Sequence, residues 1–61
     1  MKSFTATRHG ITAIVYLLNH YKWAYYAESG NMTSRGTVIA RGHFVALEKA
    51  LAKASLELSI P

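Results

Sequence analysis

Tyr16, Tyr21, Trp23, Tyr25 and Tyr26 crowd one short stretch of this chain, and they are its best candidates for chemistry. Aromatic rings on an open sheet face stack on unpaired bases, each worth roughly 1–3 kcal/mol. Arg35 and Arg41, placed on the neighbouring strand and in register on one face, would meet phosphates, with Lys22 and Tyr26 beside them. The same rings read equally well as core, because one helix and one small sheet need large side chains and aromatics favour strands in any case. The K/R-G-F/Y-G/A-F-V-x-F/Y signature of an RNA-recognition motif is absent.

A second basic spot is Arg41-Gly42-His43. It precedes a helix, whose first backbone N–H groups are free to hold an anion. Cations there otherwise oppose the helix dipole, so the alternative is a connection that happens to be basic.

Catalytic patterns are missing. The chain has no Asp and no Cys, and its acids are Glu28, Glu48 and Glu57. A paired-carboxylate site would need distant glutamates to converge. Gly30, Gly36 and Gly42 lack the spacing of a phosphate loop and its Lys-Ser/Thr. Nothing orients Ser29 or Ser34 toward His20 or His43. The three histidines, His9, His20 and His43, are too scattered for a zinc site. No catalytic residue, metal or cofactor is expected, and the protein reads as a binder rather than an enzyme.

The elements that must position these residues follow from hydropathy patterning. Ser3–Arg8 alternates Phe4 and Ala6 with Ser3, Thr5 and Thr7, as a strand with one wet face does. His9-Gly10 is a turn. Ile11–Leu18 is β-branched and apolar on both faces, the pattern of a central strand. Asn19-His20 connects to a strand at Tyr21–Glu28, with Tyr21, Trp23, Tyr25 and Ala27 on one face. Ser29-Gly30-Asn31 is the clearest turn. A fourth strand, Thr33–Arg41, is interrupted by Gly36, which signals either a bulge or a close backbone approach.

Gly42–Ile60 then has the helical period. Phe44, Leu47, Leu51, Ala54 and Leu58 share one face, and Gly42 is the expected N-cap. Val45, Ala52 and Leu56 fall off that face. They either widen the core stripe or pack on a second copy. The expected fold is α+β: an antiparallel three- or four-stranded meander followed by one C-terminal helix packed on one face, β-β-β-β-α, or β-β-β-α if the first strand fails to pair.

At 61 residues the chain forms one domain whose core is marginal. Without Cys or a zinc pattern, association is the remaining source of stability, most simply a homodimer. One helix covers one sheet face, so the other would expose Tyr and aliphatic groups and form an interface. Tyr16, Tyr21, Trp23 and Tyr25 of the sheet, with Val45 and Leu56 of the helix, are the residues expected at a dimer or partner interface. Hydrophobic residues make up 51% of the chain, which argues against disorder. No apolar run is long enough to span a bilayer and no signal peptide is evident, so a cytoplasmic setting is expected. The net charge of +4 favours a polyanionic partner. Lys22, Tyr26, Arg35, Arg41 and His43 are the residues expected to contact nucleic acid or a nucleic-acid-handling complex. A protein-interaction module is the alternative, with the aromatic face as its hot spot.

Lys22, Trp23, Gly30, Asn31, Val38, Ile39, Ala40 and Gly42, in this order ahead of an Ala- and Glu-containing helix, resemble a small family of uncharacterised bacterial and archaeal proteins typified by YegP. The resemblance covers about half of the chain and implies β-β-β-α units that pair as dimers or tandem repeats. The chain departs in being basic and in carrying Tyr25 where that family has Trp. A three-stranded sheet plus helix also looks like the arm-binding domain of phage integrases, which reads DNA with its sheet. Short motif-free chains of this kind are similar to phage and prophage products, including inhibitors of host defence proteins, which adds a host protein to the expected partners.

Overall fold

The structure, a computed structural model, describes residues 2–58. It contains β1 (Ser3–Arg8), β2 (Ile11–Asn19), β3 (Lys22–Ser29), β4 (Met32–Ile39) and α1 (His43–Glu57). The strands form one antiparallel sheet in the order β1-β2-β3-β4, and α1 packs across one face. The fold is thus the α+β meander with four strands, because β1 pairs with β2 along its whole length.

Turn chemistry sets the register. His9 (φ 53°) and Gly10 (φ 80°) both have the positive φ that a type I′ hairpin demands, and they place Arg8 opposite Ile11. Gly30 (φ 62°) stands first in the two-residue β3–β4 connection, the Gly-first pattern of type II′ turns, and places Ser29 opposite Met32. The β2–β3 connection puts His20 at positive φ, and the register shifts between Leu17 and Asn19, so Leu18 sits at a bulge. Period-2 alternation does the rest. Ile11, Ala13, Val15, Trp23, Tyr25, Ala27 and Val38 all point to the helix side and are buried.

The helix buries Ala46, Leu47, Ala50, Leu51 and Ala54, with Leu58 just beyond its end. This rotates the expected stripe. Phe44 leaves it, at 70% exposure, and Ala46 and Ala50 enter it at 0%. Small side chains let the helix backbone settle close to the sheet, and the bulky ring at position 44 stays at the surface. Val45 and Leu56 are exposed, as the pattern requires of positions off the main face. Gly42 is the N-cap, in extended conformation and without a side-chain cap. The helix expected to reach Ile60 is described only to Glu57, and Ile60 lies outside the described residues.

β4 stops at Ile39, two residues short of the expected Arg41. The reason is Trp23. Its indole Nε1–H donates to the Ala40 carbonyl at 2.9 Å inside the core, and the Ala40 N–H donates to the Tyr21 carbonyl at 2.8 Å. The Ala40 N–H bond keeps the β3–β4 register for one further residue, while the Trp23 indole takes the Ala40 carbonyl, so the chain leaves the ladder after Ala40. Gly36 marks a close approach, not a bulge: the β3–β4 register is unbroken, and a Cβ on Gly36 would lie 3.1 Å from Tyr25 Cε2.

Candidate nucleic-acid interface

The face of the sheet away from α1 is built from three cross-strand rows. Ser3, Tyr16, Ala24 and Thr37 form one; Thr5, Ile14, Tyr26 and Arg35 form the next; Thr7, Thr12, Glu28 and Thr33 form the third. Lys22 pairs with Ile39 beyond the first row. Strand alternation puts all of these on one side. The β1 column is hydroxylated throughout, the β4 column carries Thr33 and Thr37 about Arg35, and Thr7 and Thr12 share a hydrogen bond at 3.0 Å. The middle is apolar and aromatic: Ile14, Tyr16 and Ala24 are half-buried among their neighbours, and Tyr26 is 36% exposed. The strand Ile11–Leu18 is apolar on both faces, but only its helix side is covered, because among the described residues no element lies over the other.

The aromatic cluster therefore divides. Trp23 (6% exposed) and Tyr25 (3%) belong to the core, where they present no surface to a partner. Tyr21 leaves their face altogether, sits in the β2–β3 connection and is 56% exposed. Tyr16 and Tyr26 remain on the open face. The backbone spacing of β3 dictates this split, since residues 23 and 25 point opposite to residue 26.

The basic residues divide as well. Arg35 lies on the open face directly across from Tyr26. Arg41 does not share that strand register; it stands in the β4–α1 connection. There, with Lys49, it flanks a shallow depression of about 400 Å³ walled by Tyr21, Ile39 and Val45. His43 turns the other way and stacks on Phe4 of β1, with centroids 3.9 Å apart and planes 9° apart. The expected Arg41-Gly42-His43 cluster is thus not assembled.

The fold nevertheless gathers charge. Of seven Lys and Arg residues, five (Lys22, Arg35, Arg41, Lys49 and Lys53) lie on or beside the β4 flank. Lys49 Nζ donates to the Ile39 carbonyl at 2.6 Å and Lys53 Nζ to the Thr37 carbonyl at 3.3 Å, so two helix lysines are held along the edge of β4. The three acids stand apart from one another. Glu48 forms an ion pair with Arg8 on the β1 side, where the hydrogen bond from the guanidinium, helped by its charge, holds the carboxyl below the usual glutamate range. Glu57 accepts from Ser34 at the far end of the flank, and Glu28 is the single acid on the open face.

One polar cluster escaped sequence reasoning. Ser34, buried at 6%, donates to Glu57 Oε1, and the Tyr25 hydroxyl donates to the same oxygen at 3.4 Å while lying 3.2 Å from Ser34 Oγ. Both hydroxyls serve one carboxylate, which ties the last turn of α1 to β3 and β4. Its signal was present: Ser34, Gly36 and Val38 share the helix side of β4, and Glu57 stands three residues after buried Ala54.

Compared with known protein families, curated proteins and solved structures, the chain matches none.

Proposed function

We propose that this chain is a small, non-enzymatic binding protein that works as a homodimer and takes single-stranded nucleic acid on the open face of its sheet. The observation that carries this is the placement of Tyr16 and Tyr26 at the middle of an uncovered face, with Arg35 and Lys22 beside them and a cationic flank continuing past β4. Rings of this kind stack on bases without regard to sequence, and the neighbouring cations track the phosphates. Tyr26 and Arg35 stand on facing positions of adjacent strands, close enough to serve one nucleotide.

The test is titration of the protein into labelled single-stranded DNA and RNA oligomers across a salt series. Binding should weaken steeply with salt, and Arg35→Ala and Lys22→Ala should each reduce the slope of log K against log salt by about 0.7. Tyr26→Ala should cost roughly 1–3 kcal/mol in affinity. No binding at low salt refutes the proposal.

A second role has one observation in its favour. Tyr21, Ile39 and Val45 are exposed around the depression that Arg41 and Lys49 flank. That surface suits an acidic protein segment with apolar anchors, as in an inhibitor that masks another protein. Capture of such a partner would survive nuclease and be abolished by Arg41→Glu with Lys49→Glu; loss on nuclease treatment alone refutes it.

A further inference from the structure

The two edges of the sheet are treated differently. Along β4, the carbonyls of Thr37 and Ile39 face outward and receive Lys53 and Lys49. Charged side chains on an edge are how sheets refuse a further strand. Along β1 the chain supplies no such guard. Arg8 and Ile11 flank a two-residue hairpin, so they form a doubly bonded pair. Alternation then commits the backbone of Arg8, Ala6 and Phe4 to β2 and turns that of Ser3, Thr5 and Thr7 outward. Among the described residues, no lysine or arginine is bonded to those outward groups, and Ser3 through Thr7 carries no charge and no proline.

We infer that the homodimer named above forms by antiparallel pairing of β1 with β1 of a second copy, giving one eight-stranded sheet. The occupant is a second copy for reasons of charge and shape. Two chains of net charge +4 repel one another most where their cations gather, which is the β4 flank, and least along uncharged Ser3–Thr7. The register that uses all three outward residues sets Thr5 opposite Thr5 of the second copy and Ser3 opposite Thr7. On the helix side it sets Phe4 opposite Ala6 of the second copy, a large residue against a small one, twice over.

Phe44 supplies an independent pointer. Its neighbour His43 stacks on Phe4, and Glu48, one turn later on the same side of α1, pairs with Arg8. Phe44 therefore overhangs β1, where it is 70% exposed. A second copy on β1 would cover it. In this register Arg8 comes opposite Lys2 of the second copy, and Glu48 already meets the Arg8 charge. The two open faces would join flush, so that the Tyr16 and Tyr26 platforms of both copies form one surface. The inference takes up the dimer of the proposed function and is tested without nucleic acid.

Light scattering from 10 µM to about 1 mM, free of nucleic acid, should give the mass of two chains. Thr5→Pro should give one, with its circular dichroism retained, because the N–H it removes points outward. Since that variant risks unfolding, single cysteines in this Cys-free chain provide a second measure. Thr5→Cys should form a linked pair under mild oxidation at concentrations where Thr37→Cys stays single. The inference is overturned by a one-chain mass throughout for the natural sequence, by a folded Thr5→Pro that still pairs, or by equal linking of the two cysteine variants.

Discussion

Gly36→Ala isolates a single contact. A methyl built on Gly36 would lie 3.1 Å from Tyr25 Cε2, 3.4 Å from its hydroxyl oxygen and 3.5 Å from Cζ. The ring cannot easily give way. It is 3% exposed, packed beneath α1, and its hydroxyl sits within hydrogen-bond reach of Ser34 and Glu57. Overpacking of a tight core costs about 1–3 kcal/mol. Against this, replacing a strand glycine by alanine recovers about 0.5–1 kcal/mol of backbone entropy. The net expectation is a loss of about 1 kcal/mol, which in a domain of this size lowers Tm by about 4–8 °C. Thermal unfolding followed by circular dichroism reads this directly. The control is the same substitution in a Tyr25→Leu background. There the methyl enters space that the ring has vacated, and Gly36→Ala should become neutral or stabilising, a coupling of about 1 kcal/mol or more. A Gly36→Ala protein with unchanged or raised Tm, or equal effects in both backgrounds, would refute the steric account of this glycine.

Other outcomes follow from the same geometry. His9→Asn, which places the residue most at home with positive φ ahead of Gly10, should stabilise the β1–β2 hairpin by about 0.5–1 kcal/mol in denaturant titration. Lys49→Ala with Lys53→Ala should unseal β4 and raise light scattering on concentration, while neutralising Lys2, which guards no strand of the sheet, should not. The Arg8–Glu48 pair has a defined pH sign. The folded carboxyl titrates below its unfolded range, so its contribution is complete above that range and is lost as pH falls through the lowered folded value. Glu48→Gln should therefore lower Tm slightly at neutral pH and not at strongly acidic pH, and added salt should shrink the difference, as expected of an exposed pair.

The sequence by itself determined the order of elements, because its signals are local. His9-Gly10 and Ser29-Gly30-Asn31 interrupt apolar runs at strand spacing, and the alanine-rich segment after Gly42 has no competing pattern. It also placed Val45 and Leu56 off the main helical face and narrowed Gly36 to two structural causes. What it left open were matters of which face meets which. Tyr25 and Tyr26 differ by one residue, and one lies under the helix while the other faces water; only the side on which α1 docks decides between them. The exchange of Phe44 for Ala46 in the core stripe depends on how closely that helix approaches. The gathering of Lys49 and Lys53 onto β4, like the joining of Ser34 to Glu57, spans the sheet–helix boundary, and no local periodicity encodes it. Tertiary packing settled these points because burial and charge clustering arise from contacts between elements, whereas turns and strand alternation arise within them.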